Sequence, residues 1–405
     1  MLSSLIPVRS FLLAIFIIMA GSGFLSTLIS VRLEAEGESP LAIGLVGTAY
    51  FAGLTIGALR VSKLIASVGH IRAFAVFVSI FSASSLTYAI HQDVGLWTVL
   101  RFIDGLTIAG VYICLESWLN ERADKTSRAS ILASYMVALY SGQAAGQFLL
   151  NLGDAQPMLP FMVSAILLSL AVIPVVLTQV AQPVLGNLKS LSIRKLYEIS
   201  PLGILGVILT GAMLGAFYAL GPIFAGKLGM GLSEIALFTS SVIFGGVILQ
   251  WPIGMLSDRF DRRKVLIACF ALATAVCGAM IAIGGTGIYV FILGGLFGGF
   301  SFVLYPLCVA HTNDRLAEDE RVGASGGLVL AYSMGAVGGP LLGSAVMAVI
   351  GPPGLFLFIG MCALLGTGFG LWRLYSGEAV PSEEQQSYQN LPRTTPVATS
   401  FDDET

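Results

Sequence analysis

The chain has 405 residues, of which 56% are hydrophobic and only 11% charged, whereas soluble domains carry about a quarter charged residues. A soluble fold of this length could not hide so much apolar surface, and a net charge of −2 supplies no basic field for nucleic acid. A membrane-integral protein is the class that remains, and the 48 glycines suit it, because small residues let helices approach closely in lipid.

A bilayer core takes roughly 20 apolar residues per helix. Twelve stretches qualify in chain order: about 10–31, 41–65, 71–90, 95–119, 129–151, 158–180, 201–223, 232–256, 264–284, 286–311, 322–350 and 352–374. The first has neither a basic start nor a small-residue cleavage site, so it reads as a helix rather than a signal peptide. A polar stretch near Gln182–Ser200 divides the spans into six plus six. The expected organisation is therefore a bundle over 1–181, a linker over 182–200, a second bundle over 201–375 and a tail over 376–405. The tail is acidic and contains Pro381, Pro392 and Pro396, a composition expected to stay disordered.

Lysine and arginine set the orientation. With the N-terminus in the cytoplasm, all of these residues face inward except Arg32, Lys227 and Arg101, the last within a span. Both termini are thus expected inside. Cys114, Cys269, Cys277, Cys308 and Cys362 all lie in apolar stretches with no CxxC pair, which reads as core packing rather than disulfide or metal chemistry.

The second half repeats the first. Asn120-Glu121-Arg122, Arg128, Gly142 and Gly146 align without a gap on Asn313-Asp314-Arg315, Arg321, Gly335 and Gly339, at a constant offset of 193. Gly105 and Tyr112 extend the register to Gly298 and Tyr305. Duplicated membrane halves place a ligand site between them.

The loop after the eighth span reads Gly254-Met-Leu-Ser-Asp258-Arg259-Phe-Asp261-Arg262-Arg263-Lys264. It resembles the signature loop of the major facilitator superfamily, G-x-L-x-D-R-x-G-R-R-K, with Asp261 in place of the second glycine. The resemblance implies an all-α membrane protein of twelve transmembrane helices in two pseudo-symmetric six-helix bundles, working by alternating access. It also implies that Gly254, Asp258, Arg259 and Arg262 belong to a gate. In that reading Asp258 meets the positive N-terminal end of the fifth span near Ser127–Ser130 when the cytoplasmic side closes. The equivalent loop of the first half is degraded: Ala66 and Ser67 occupy the aspartate and arginine positions.

Arg101-Phe-Ile-Asp104-Gly105 in the fourth span resembles the family's R-x-x-Q-G motif, with Asp104 in the glutamine position. Ionised groups in a span usually face a cavity and work there. Arg101 and Asp104 are three apart and can pair along one helix face, and Tyr112 and Glu116 continue that face. The pair is a candidate for proton coupling or, equally, a static tie; Glu116 suits a structural or gating role near the inner end, with Arg122 or Lys125 to neutralise it.

In the eleventh span, Gly335-Ala-Val-Gly338-Gly339-Pro340-Leu-Leu-Gly343 resembles the glycine–proline motif of facilitator antiporters, which in that branch belongs to the fifth helix. Gly339 and Pro340 predict a kink and a gating contact. Tyr305 and His311 in the tenth span complete the candidates, His311 as a titratable group or an interfacial hydrogen-bonding residue. The segments Glu116-Ser-Trp-Leu-Asn120 and Tyr305-Pro-Leu…Ala310-His311 resemble a bacterial branch termed YcaD-like, which implies residence in the bacterial inner membrane.

The chain lacks a Walker A loop, GxSxG, HExxH and any His/Cys/carboxylate cluster at metal spacing, so no cofactor, metal or enzymatic activity is expected. The sequence reads as a monomeric, proton-coupled transporter of a small organic solute, with export slightly favoured. The resemblance implies that the first, fourth, seventh and tenth spans line a central cavity, which would present Ser26, Arg101, Tyr112, Tyr218 and Tyr305. The alternatives are a lipid or lysolipid translocator and a non-transporting receptor or assembly factor on the same fold.

Overall fold

The structure is a computed structural model, and it describes residues 8–123, 127–154, 156–178, 183, 191–376, 385, 388, 389, 393 and 395. The first six spans are Arg9–Ala35, Pro40–Val68, His70–Ile90, Val94–Arg122, Arg128–Gln147 and Leu159–Val176. The second six are Pro201–Lys227, Leu232–Arg259, Arg262–Ile283, Ile288–Asn313, Glu318–Ile350 and Gly354–Ser376. Eleven of these are apolar enough to cross a bilayer by composition alone. Arg128–Gln147 is the more polar exception, but its 20 residues rise about 30 Å, enough for the hydrocarbon core.

Local chemistry sets the ends of several spans. Ser39 accepts from the Ala42 N–H with Pro40 in the first turn, and Asp93 accepts from the Leu96 N–H at 2.7 Å; both are favoured starts. Gly69 alone separates the second and third spans, in a left-handed conformation (φ 88°) that a side chain would disfavour. The fifth span ends in a 3₁₀ segment, Phe148–Gly153, where continuous helix to residue 151 was expected.

The sequence repeat reappears as repeated packing. A Cβ on Gly142 or Gly146 would overlap the Phe16 and Ala20 carbonyls of the first span. A Cβ on Gly335 or Gly339 would overlap the Ile208 and Ala212 carbonyls of the seventh. Gly105 sits against the Tyr50 carbonyl and Gly298 against that of Val242 in the same way. The glycines recur at 193 because each half needs the same backbone-to-backbone approaches.

The first span is broken at Gly23-Phe24, between helices Arg9–Ser22 and Leu25–Ala35. The Gln147 side chain donates to the Gly23 carbonyl at 3.1 Å, meeting the need of irregular backbone at membrane depth for an internal partner. The two halves touch on the side bearing Glu34 and Lys227, which pair at 3.4 Å. Ser30 there donates to the Ala219 carbonyl, and Thr48 donates to the Val337 carbonyl at 3.0 Å, in the turn before Pro340. The linker's described part forms the helix Ile193–Ile199 and docks on the eleventh span through Leu191 N–H to the Gly323 carbonyl and Lys195 to Glu320.

Candidate functional site

A cavity of about 110 Å³ lies between the halves. The broken first span supplies Ser22, Gly23 and Ser26; the fourth supplies Arg101 and Tyr112; the seventh and eleventh supply Tyr218 and Tyr332. Four expected residues, Ser26, Arg101, Tyr112 and Tyr218, therefore converge. The Arg101 guanidinium donates to Ser26 Oγ at 2.5 Å and lies 4.1 Å from the centre of the Tyr50 ring.

Arg101 also faces Asp104 at 3.6 Å, with both side chains nearly or fully buried. Asp104 is held from the third span, where the Tyr88 hydroxyl donates to Oδ2 at 2.7 Å. The pair thus has one member on the cavity wall and one behind it. A buried carboxylate is tolerable only with such partners. Glu116, fully buried, accepts from the Tyr135 hydroxyl at 3.0 Å. Lys125, expected to neutralise it, lies outside the described residues, and Arg122 is solvent-exposed.

Two expectations for the tenth span are corrected. Tyr305 is buried one layer behind the cavity, edge-on to Tyr332 at 5.4 Å, because Tyr332 of the eleventh span takes the wall position. His311 lines a different pocket with Arg263, Arg315 and Arg373, and Arg315 donates to its backbone carbonyl at 3.0 Å. It sits too far along its span to face the central cavity.

In the signature loop, expected to form a gate, Arg262 is nearly fully buried and forks onto both oxygens of Asp314 at 2.7 Å, while reaching Asp258 at 3.1 Å. Arg259 is exposed. Asp261 caps the ninth span by accepting from the Arg263 N–H at 3.0 Å. Burial alone would raise its pKa, but the Arg263 side-chain and backbone bonds and the Lys264 charge hold it below the usual carboxylate range. Among the described residues, the hydrogen-bond partners of Asp258 are Arg262 and the Tyr388 N–H, rather than the start of the fifth span. Gly339 packs on the seventh span, and Pro340 stands at the contact between the second and eleventh spans.

Tail residues stand where the sequence suggests only solvent. Tyr388 packs its ring on Gly254. The Arg393 guanidinium lies 4.5 Å from the centre of the Phe302 ring and donates to the Tyr218 hydroxyl at 3.3 Å, and Thr395 donates to Glu116. A guanidinium on aromatic faces gains cation–π attraction, which a mere solvated tail would not reach. Tyr50, Tyr140, Gln143 and Tyr332 are cavity residues beyond the expected set. The available signal for two of them was a Tyr-Ser pair shortly before each glycine pair, Tyr140-Ser141 and Tyr332-Ser333.

The family model of the Major Facilitator Superfamily matches residues 11–195 and 202–400. The chain belongs to the major facilitator superfamily. It is 27% identical over 363 residues to the uncharacterised MFS-type transporter YcaD of Escherichia fergusonii, covering 89% of this chain and 94% of that one. The MFS-type transporter YE1530 of Yersinia enterocolitica is 27% identical over 366 residues, with the same coverage. In fold, the chain is similar to the nucleoside transporter NupG (TM-score 0.77, 12% identity, 92% of this chain and 100% of that one). It is also similar to an inward-facing, occupied bacterial homologue of the human lysosomal transporter Spinster (TM-score 0.74, 13% identity, 94% and 98%). This superfamily chain is thus an integral, multi-pass membrane transporter, and its family consists of carriers rather than enzymes.

Proposed function

We propose that the protein is a proton-coupled secondary transporter that moves a small organic solute through the cavity between its halves. It would reside in the bacterial inner membrane with both termini cytoplasmic, act as a monomer, and work in the export direction. The observation that carries this reading is the Arg101–Asp104 pair, half on the cavity wall and half buried behind it. The protonation state of Asp104 would set whether Arg101 stays paired or turns toward solute, so the carboxylate and the solute compete for one guanidinium. The fold has a precedent in the E. coli fucose:proton symporter (TM-score 0.58, 17% identity, 92% of this chain and 99% of that one). The basic loops support this orientation by the positive-inside tendency.

The cavity as it stands holds about four waters at ~30 Å³ each, too little for an organic solute. Arg393 of the tail lines it. Tail and solute therefore exclude one another, and the state described is closed by inter-half contacts on the Glu34–Lys227 side and filled by the tail from the other. The test is untargeted metabolomics of cells and medium from strains producing this chain or its Asp104→Asn variant, against an empty vector. A solute enriched in the medium only with the parent chain supports export. Identical profiles for parent and variant remove the coupling role of Asp104, and identity with the vector removes transport.

A further inference from the structure

Away from the central cavity, a second pocket of about 210 Å³ opens where the seventh and ninth spans begin and the tenth and twelfth end. Arg263, Arg315 and Arg373 line it together with His311, Ser200 and Leu202. Arg263 bonds Asp261, whereas the other nearby carboxylate, Asp314, is taken by both of its oxygens by Arg262. Burial, the positive charge of Arg263 and that of Arg373 lower the Arg315 pKa below the usual arginine value, against the opposing pull of Asp314 and Asp261. The seventh span also starts here, with Pro201 in its first turn and no side-chain cap from Ser200, so its positive end adds to the same field. Three guanidiniums, a helix start and room for several waters make a receptor for a phosphate group.

An open apolar groove of about 590 Å³ lies between the seventh and twelfth spans, its nearest residues one helical turn or less along those spans from the pocket's. Leu205 and Leu209 form one wall, a turn beyond Leu202; Leu364, Leu365, Phe369 and Trp372 form the other, next to Arg373. From Met361 to Trp372 the helix rises about 16 Å, close to half the roughly 30 Å hydrocarbon core. The groove therefore spans one leaflet, with cations at its headgroup end. We propose that this combined site binds an anionic phospholipid of the leaflet on the side of the chain termini, its phosphate among Arg263, Arg315 and Arg373 and one acyl chain in the groove. Charge alone would accept inorganic phosphate and apolar surface alone any lipid; only the two side by side select both features in one molecule.

Native mass spectrometry and thermal unfolding of the full chain in detergent test this, with phosphatidylglycerol, phosphatidylcholine of the same acyl chains, and inorganic phosphate as probes. The expected result is at least tenfold tighter binding of phosphatidylglycerol than of phosphatidylcholine, and no stabilisation by inorganic phosphate at lipid-equivalent concentration. Arg373→Gln, at a half-buried helix end, should weaken phosphatidylglycerol at least fivefold. Gly368→Leu fills the groove where an added Cβ meets nothing within 4 Å, so it should fold normally and lose the same lipid. Equal binding of the two lipids, equal protection by inorganic phosphate, or retention of phosphatidylglycerol by both variants would each overturn the proposal.

Discussion

The two halves share their packing and differ in where they bury charge. Gly105 and Gly298, and the pairs Gly142/Gly146 and Gly335/Gly339, make the same backbone approaches in each. Yet the first half holds its buried pair, Arg101 and Asp104, within the membrane, and at an offset of 193 the second half has Gly294 and Phe297 there. At the end of the spans the contrast reverses. The second half ties Asp258, Arg262 and Asp314 together, whereas the first has Ala66 and, at Arg262's position in the loop alignment, His70. His70 instead lies 5.8 Å from the Trp118 ring. Duplication kept the scaffold, which geometry constrains. The charges diverged, and in the proposed mechanism solute and proton chemistry would fall to the first half and the gate to the second.

The largest expected effect lies on the pair that only the first half has. Asp104→Ala strands Arg101 in the protein interior, a loss of about 3–5 kcal/mol for a broken buried pair, read as a lower melting temperature and no proton-driven accumulation in vesicles. Asp104→Asn keeps an acceptor for the Tyr88 hydroxyl and so should cost less stability while losing the same proton drive. The shared scaffold gives the next test: Gly105→Val and Gly298→Val should each cost about 1–3 kcal/mol or more by overpacking. Expression and unfolding temperature of the two should fall together; a loss in one half alone would break the claim of equivalent packing.

Arg262→Gln takes the guanidinium from buried Asp314, a loss of about 3 kcal/mol for a broken buried pair, while exposed Asp258 recovers much of its share from water. Its signature is a faster proteolytic cut at the junction of the eighth and ninth spans, with no matching change from His70→Gln. Removing residues 377–405 should raise transport by about two- to tenfold if the tail holds the cavity for half to nine-tenths of the time, read as initial flux. The smallest effect is Asp261, whose folded pKa is depressed. A depressed carboxylate stabilises the fold above its unfolded value of about 3.9 and loses that contribution as pH falls through the folded value. The stability gap between the parent and Asp261→Asn should thus be present at pH 7, begin to shrink near pH ~3.9 and close as pH falls through the lower folded value.

Much of this was legible in the sequence because membrane folding leaves strong marks. Span length, the six-plus-six division and the glycine register follow from bilayer thickness and close approach, which act on composition and spacing. The convergence of Ser26, Arg101, Tyr112 and Tyr218 followed from helix faces and the resemblance. What was not legible depends on rotation and reach. Tyr305 and Tyr332 are both apolar-face tyrosines, and only the relative turn of the tenth and eleventh spans puts Tyr332 on the wall. His311 lies far enough toward its helix end to leave the central cavity for the arginine pocket. Tail composition carries no information on whether Arg393 meets Phe302 and Tyr218, since that contact depends on an aromatic surface assembled from distant segments.

The central claim is that the cavity between the halves opens alternately to each side. The most direct test is thiol labelling of Gln143→Cys, a cavity residue, by a membrane-impermeant maleimide in right-side-out and inside-out vesicles; the five native cysteines are buried. The account predicts labelling from both sides, with labelling from the terminal side faster once residues 377–405 are removed. Labelling from one side only, unchanged by solute, proton gradient or tail removal, would contradict it.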